Sequence, residues 1–240
     1  MAAFWKTLFL ATAVTFLSAC IKVNLFPESS VVRQVTPLAV KVETQVNTGS
    51  GVWIASDLVL TAKHVVMSPF LTDTLMSDFK VKDIEGTTHK AEVALVGEGV
   101  GVGHDWAILR ITSPFVYEHA WAKVDCSPRY VGERVVGIGN AFGYTGLLPY
   151  LGDVQVPDFN LRKNWSNNSS DWWIHAMLTN MDGAAGVSGG GVFDMDGDLV
   201  GIMVGSIAGQ HGGSFQQITY PIQYVSVLCG DHTDDSSVTG

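Results

Sequence analysis

Ser188 stands in the string Gly186-Val187-Ser188-Gly189-Gly190. Small residues on both sides let a substrate carbonyl approach its hydroxyl while main-chain N–H groups converge on the same place. A serine hydroxyl is a poor nucleophile until a base takes its proton and donors receive the charge that builds on the substrate oxygen. A candidate base and a candidate orienting acid lie upstream, in separate blocks. His64 falls in Thr61-Ala62-Lys63-His64-Val65-Val66, directly after an apolar segment. Asp105 opens Asp105-Trp106-Ala107-Ile108-Leu109. A carboxylate at the head of an apolar strand is partly buried, which is costly unless a donor such as an imidazole N–H pairs with it.

Three blocks so far apart need a scaffold that brings them together, and the intervening sequence reads as short strands. Val40 and Val42 alternate with Lys41 and Glu43, the period of a half-buried strand. After the turn Asn47-Thr48-Gly49-Ser50-Gly51 come Val52-Trp53-Ile54 and Leu58–Thr61, and further candidates are Phe79–Lys82, Lys90–Val96 and Trp106–Ile111, with 97–103 a loop that includes Gly97 and Gly103. Arg134–Ile138 and the glycine-rich turn Gly139–Gly143 follow, then Trp173–Leu178, Gly191–Asp194, Leu199–Val204 and Phe215–Tyr220. Strands this short, punctuated by Gly and Ser turns, indicate an all-β barrel or sandwich.

The chain has 240 residues, 47% of them hydrophobic and 15% charged, a globular composition with enough length for a sizeable core. A net charge of −9 argues against nucleic acid or an anionic membrane surface as a partner. Lys6 followed by a largely apolar run to Ala19 has the pattern of a secretory signal. Leu17-Ser18-Ala19-Cys20 resembles the bacterial lipobox, which implies cleavage before Cys20, acylation of Cys20 and a lipid anchor. Ile21 in the next position implies a periplasm-facing outer-membrane destination by the sorting rule of such signals. Residues 21–36, with Pro27, Ser29 and Ser30, read as a tether. Export places the remaining cysteines, Cys126 and Cys229, in an oxidising compartment, where they are either one disulfide or two separate thiols.

The blocks around His64, Asp105 and Ser188, in that order, resemble the three signatures of trypsin-like serine proteases over roughly residues 38–228. Arg134–Gly143, Gly49-Ser50-Gly51 and, more loosely, Ile218–Ile222 resemble the HtrA/Deg branch of that family. The resemblance implies two six-stranded antiparallel β-barrels with the active site between them, the first over about 37–115 and the second over about 125–228, and a short C-terminal helix over Pro221–Leu228. Residues 1–19 are then the signal, 20–36 the tether, 37–230 the protease domain and 231–240 a tail. It implies Ser188 as nucleophile, His64 as general base and then acid, Asp105 as the group that fixes the imidazole tautomer, and the N–H groups of Gly186 and Ser188 as an oxyanion hole. It calls for no metal or cofactor, and in some trypsins a disulfide from the interbarrel segment to the C-terminal helix corresponds to Cys126–Cys229.

Lys63 and Gly191 depart from the family pattern, which usually has a small residue and often a proline there. Val187 replaces the aspartate with which digestive trypsins pair a newly cut N-terminus, so activation by that route is not expected. Asp182 falls six residues before Ser188, at the position of the trypsin specificity carboxylate. It implies cleavage after Lys or Arg, unless Met181–Ala185 takes the HtrA-like shape and makes a small apolar pocket. His104 reads as a loop residue, and Asn164–Asp171 as an exposed loop near the cleft followed by Trp172 and Trp173, which are assigned to the core, with lining of the substrate groove as the alternative. The residues left after the C-terminal helix are too few for the PDZ domain that HtrA proteins append. An α/β-hydrolase needs a helix after its serine and its acid and histidine downstream, a pattern not found around Ser188. A lipid-anchored binding protein or pseudoprotease that retains the fold is the alternative from another functional class.

Overall fold

The structure is a computed structural model that describes residues 27–71, 74–98, 104–113, 120–143, 146–159, 175–207 and 216–230. The signal and Cys20, the loop Asn164–Asp171, Trp172, Trp173 and the tail lie outside these residues.

Two closed antiparallel barrels follow one another along the chain. The first contains β1 (Ala39–Glu43), β2 (Thr48–Trp53), β3 (Leu58–Thr61), β4 (Phe79–Lys82), β5 (Thr88–Val96) and β6 (Ala107–Ile111), in the closed order β1-β2-β3-β6-β5-β4. The second contains β7 (Arg134–Gly139), β8 (Leu148–Val156), β9 (Met177–Thr179), β10 (Gly191–Phe193), β11 (Leu199–Ile207) and β12 (Gln216–Pro221). Its closed order, β10-β11-β12-β9-β8-β7, is the same ring offset by six strands. Closure removes the free sheet edges that a sandwich would have to protect.

Alternation decides which side chains fill each barrel. In β1 Val40 and Val42 are fully buried while Lys41 and Glu43 are half-buried, and in β4 Phe79 and Val81 point in while Lys80 is exposed. Trp53, Leu60 and Leu109 are among the largest buried side chains of the first barrel, and Phe193, Ile202, Met203 and Tyr220 of the second. Strand β8 lacks a clean alternation and carries Pro149 and Gly152, both strand breakers by type, so the sequence does not announce it. Gly152 is needed there, because a Cβ would come within 2.6 Å of Met181 and the Asn180 side chain.

The expected tether is corrected by a helix, α1 (Pro27–Val35), which packs on β7. Pro27 starts it and Glu28 occupies its first turn. Val31 and Val35, one turn apart on one face, are buried in the main core. Burying two valines contributes about 3–6 kcal/mol, enough to dock a nine-residue helix. Gln34 Nε2 donates to the Asp196 carbonyl at 3.3 Å, and Arg134 pairs with Glu28 at 3.6 Å. Residues 27–35 of the expected tether therefore belong to the folded body. The C-terminal helix is divided into a 3-10 turn, Ile222–Tyr224, and one α-helical turn, Ser226–Cys229, which packs beside it. No described helix is long and apolar enough to cross a membrane.

Candidate active site

His64 sits in α2 (Lys63–Val66), a single turn that follows β3 after the extended Ala62. Asp105 lies two residues before β6, the neighbour of β3, so pairing of these two strands brings the residues together. The Asp105 carboxylate is fully buried and grips His64 twice. Its Oδ1 accepts the His64 backbone N–H at 2.9 Å, and its Oδ2 lies 2.8 Å from His64 Nδ1. The imidazole keeps 30% of its side-chain surface exposed while Nδ1 faces the acid. Burial pulls the His64 pKa down, but the Asp105 charge and hydrogen bond prevail and raise it above its ordinary 6.5.

Lys63 accounts for one departure from the family pattern. Its side chain is buried, and Nζ donates to the Gly97 carbonyl at 3.0 Å. The Gly97 N–H in turn donates to the Trp106 carbonyl at 2.8 Å, so the lysine ties α2 to the segment that presents Asp105. His104, read from sequence as a loop residue, does lie in a turn, and its Nδ1 is 3.0 Å from the Tyr220 hydroxyl on β12. Burial, with the charge of Asp105, pushes the Tyr220 phenol well above its ordinary value, so it stays protonated.

Ser188 comes from the second barrel, on the turn before β10, and is half-buried. Its carbonyl accepts the Ser50 N–H from β2 at 2.7 Å. Gly189 has φ +86, and a Cβ there would overlap the Ser50 carbonyl and the Thr61 hydroxyl and lie 2.9 Å from the Ala62 nitrogen. The glycine is thus what lets the serine turn press against the β3–α2 corner that carries His64. Gly186, at φ +95, allows the same turn to pass over the Asn140 carbonyl. Val187 is 3% exposed and lies in an apolar cluster with Met181 and Met203.

The orientation of the peptide between Ala185 and Gly186 is set by one bond: the Phe142 N–H donates to the Ala185 carbonyl at 2.6 Å. A trans peptide points its N–H opposite to its C=O, so the Gly186 N–H is directed away from Phe142. Among the described residues, no acceptor takes the N–H of Gly186 or of Ser188. The candidate site thus offers an imidazole oriented by a buried carboxylate and, on the turn against the β3–α2 corner, a hydroxyl and two main-chain N–H groups.

Asp182 lies on the segment between β9 and Gly186 and is exposed. Burial, with the Asp182 charge, pushes the Tyr150 phenol above its ordinary value. Cys126 and Cys229 are joined in a disulfide with a Cα–Cα distance of 5.7 Å. Beside it Arg129 pairs with Asp125, Glu133 and Asp194, which secures the interbarrel segment to the second barrel. A cavity of about 600 Å³ near β1, β4 and β5, lined by Glu43, Asp78, Lys80, Lys90 and Glu92 among others, contains none of His64, Asp105 and Ser188. No cluster of metal-ligating side chains occurs among the described residues.

Residues 49–202 match the profile of the trypsin-like peptidase domain. The fold is similar to that of a serine-to-alanine mutant of Rv3671c from M. tuberculosis in an inactive form, with a TM-score of 0.67 and 19% identity over 87% of this chain and 93% of that one. A second crystal structure, of the Rv3671c protease in an inactive form, matches with a TM-score of 0.66 and 18% identity, over 85% of this chain and 93% of that one. No curated protein sequence matches significantly.

Proposed function

From the premise that this chain belongs to the trypsin-like peptidase family, we propose that it is a serine endopeptidase working through Ser188, His64 and Asp105. The observation that carries the reading is the double grip of Asp105 on His64, because it dictates the chemistry of the imidazole. With Oδ2 accepting from Nδ1–H, the neutral ring carries its lone pair on Nε2, the nitrogen available to take a proton from a serine. Ser188 Oγ attacks the scissile carbonyl as His64 removes its proton, and the negative charge passes to the carbonyl oxygen. The N–H groups of Gly186 and Ser188 receive that charge, each donor contributing about 3–4 kcal/mol in comparable sites. His64 then protonates the leaving amine, which leaves an acyl-enzyme on Ser188. Water activated by the same imidazole hydrolyses it. Asp105 remains ionised and stabilises the imidazolium in both halves.

Within the family, the Gly49-Ser50-Gly51 and Arg134–Gly143 blocks favour an HtrA-like relationship. The exposure of Asp182 favours a P1 pocket without a basic requirement, since a hydrated carboxylate attracts a substrate cation only weakly. The signal-like N-terminus ending in Leu17-Ser18-Ala19-Cys20 supports an exported enzyme anchored by acylated Cys20.

A fluorophosphonate probe tests the central reading. It should label the folded wild-type protein covalently and leave Ser188→Ala unlabelled, and peptide turnover should follow the labelling. Folded wild-type protein that neither labels nor turns over a peptide library would refute the protease and leave a binding protein that keeps the fold.

A further inference from the structure

Ser50 on β2 of the first barrel reaches across to the second and makes four hydrogen bonds while fully buried. Its N–H donates to the Ser188 carbonyl at 2.7 Å, and its Oγ donates to the Gly186 carbonyl at 2.8 Å. The same Oγ accepts the Asn140 N–H at 2.7 Å, which occupies a lone pair and leaves the hydroxyl proton for Gly186. Its own carbonyl accepts the Thr61 hydroxyl at 2.6 Å. One side chain and one backbone amide thus hold the carbonyls of both residues whose N–H groups would receive the oxyanion.

We infer that Ser50 is the positioning residue of the oxyanion hole, an inference that rests on the serine-protease reading above. Gly186 needs such a restraint. At φ +95 it sits in a region that only glycine enters freely, and a glycine on a turn can rotate its flanking peptides at little steric cost. The Phe142 N–H fixes the peptide before Gly186 and the Ser50 hydroxyl fixes the peptide after it, so the N–H of Gly186 is held from both sides. The Ser50 backbone N–H does the same for the carbonyl side of Ser188. Removal of the hydroxyl frees the Gly186 carbonyl and takes an acceptor away from the Asn140 N–H. Rotation of the turn then becomes a way to satisfy the Gly186 carbonyl, and the donor is lost from the hole. The anchor comes from the barrel that carries His64 and Asp105, so the hole forms only when the barrels are correctly docked.

The test is Ser50→Ala, compared with wild type by active-site titration, peptide kinetics and affinity for a peptide boronic acid that forms a tetrahedral adduct. A lost or misplaced donor lowers kcat by roughly ten- to hundred-fold. KM stays within about twofold, because the donor acts on the transition state rather than on the bound peptide. Boronate affinity should fall by the same factor as kcat, and Ser50→Thr, which keeps the hydroxyl, should recover most of both. Unchanged kcat per folded molecule, or a loss confined to KM or to melting temperature, would overturn the inference while leaving wild-type activity intact. Wild-type protein that neither turns over nor labels would instead overturn the protease reading itself. If Ser50→Ala does not fold, Ser50→Cys carries the test: its weaker donor should give an intermediate kcat, and wild-type kcat would refute the role.

Discussion

Replacing Asp105 with asparagine should abolish most turnover without disturbing the fold, and the two bonds it makes say why. The carboxylate accepts at both oxygens, from the His64 backbone N–H at 2.9 Å and from Nδ1 at 2.8 Å. An asparagine amide has one acceptor and one donor end. If its oxygen keeps the backbone N–H, its NH₂ faces Nδ1, which must then be the unprotonated nitrogen. The proton moves to Nε2, and the imidazole can no longer accept one from Ser188. The flipped amide would set donor against donor at the backbone. The wrong tautomer costs about ten-thousand-fold in kcat in comparable enzymes, or about 5.4 kcal/mol of transition-state stabilisation. The pH profile supplies a second readout. In wild type the Asp105 charge and hydrogen bond outweigh burial and raise the His64 pKa, so the acid limb of kcat/KM should lie above pH 6.5. In Asp105→Asn only burial remains, and the residual activity should have its limb at lower pH. Because the folded pKa is raised, the pair stabilises the fold fully below pH 6.5, and this contribution is lost as pH rises through the folded value. Asp105→Asn should therefore be more destabilising at acid than at alkaline pH. Ester hydrolysis across pH with parallel denaturant titration would check all three. An Asp105→Asn enzyme within about tenfold of wild type would refute the tautomer argument.

The Cys126–Cys229 bridge spans 103 residues and encloses every strand of the second barrel, a loop for which chain entropy alone gives about 4.7 kcal/mol. Replacing both cysteines with alanine should lower the unfolding free energy by about 3–5 kcal/mol in a denaturant titration, and a loss below about 1 kcal/mol would contradict it. Cleavage-site profiling on a peptide library should show no enrichment of Lys or Arg at P1; strong enrichment would restore Asp182 as a specificity carboxylate and refute the reading from its exposure.

The candidates His64, Asp105 and Ser188 were legible because the proposed reaction would demand those residue types, and β1 because a half-buried strand alternates. Elsewhere local chemistry misled. Pro27, Ser29 and Ser30 suggest a loose tether, yet Val31 and Val35 find an apolar surface on the second barrel and the helix forms. Pro149 and Gly152 speak against β8, yet Gly152 is there because Met181 and Asn180 leave no room for a side chain. In both places a contact distant in sequence overrode the local preference.

What the sequence alone determined is the composition of the candidate site: a hydroxyl, an imidazole, a carboxylate, and glycines able to take the left-handed turns at positions 186 and 189. What only the tertiary structure decided is how those groups are held. Ser50 is an ordinary serine in a turn until its hydroxyl meets partners 90 and 136 residues away. Lys63 is an oddity until its ammonium finds the Gly97 carbonyl. Reactivity belongs to side-chain type and is written locally; orientation comes from hydrogen bonds between segments that become neighbours only when both barrels have closed.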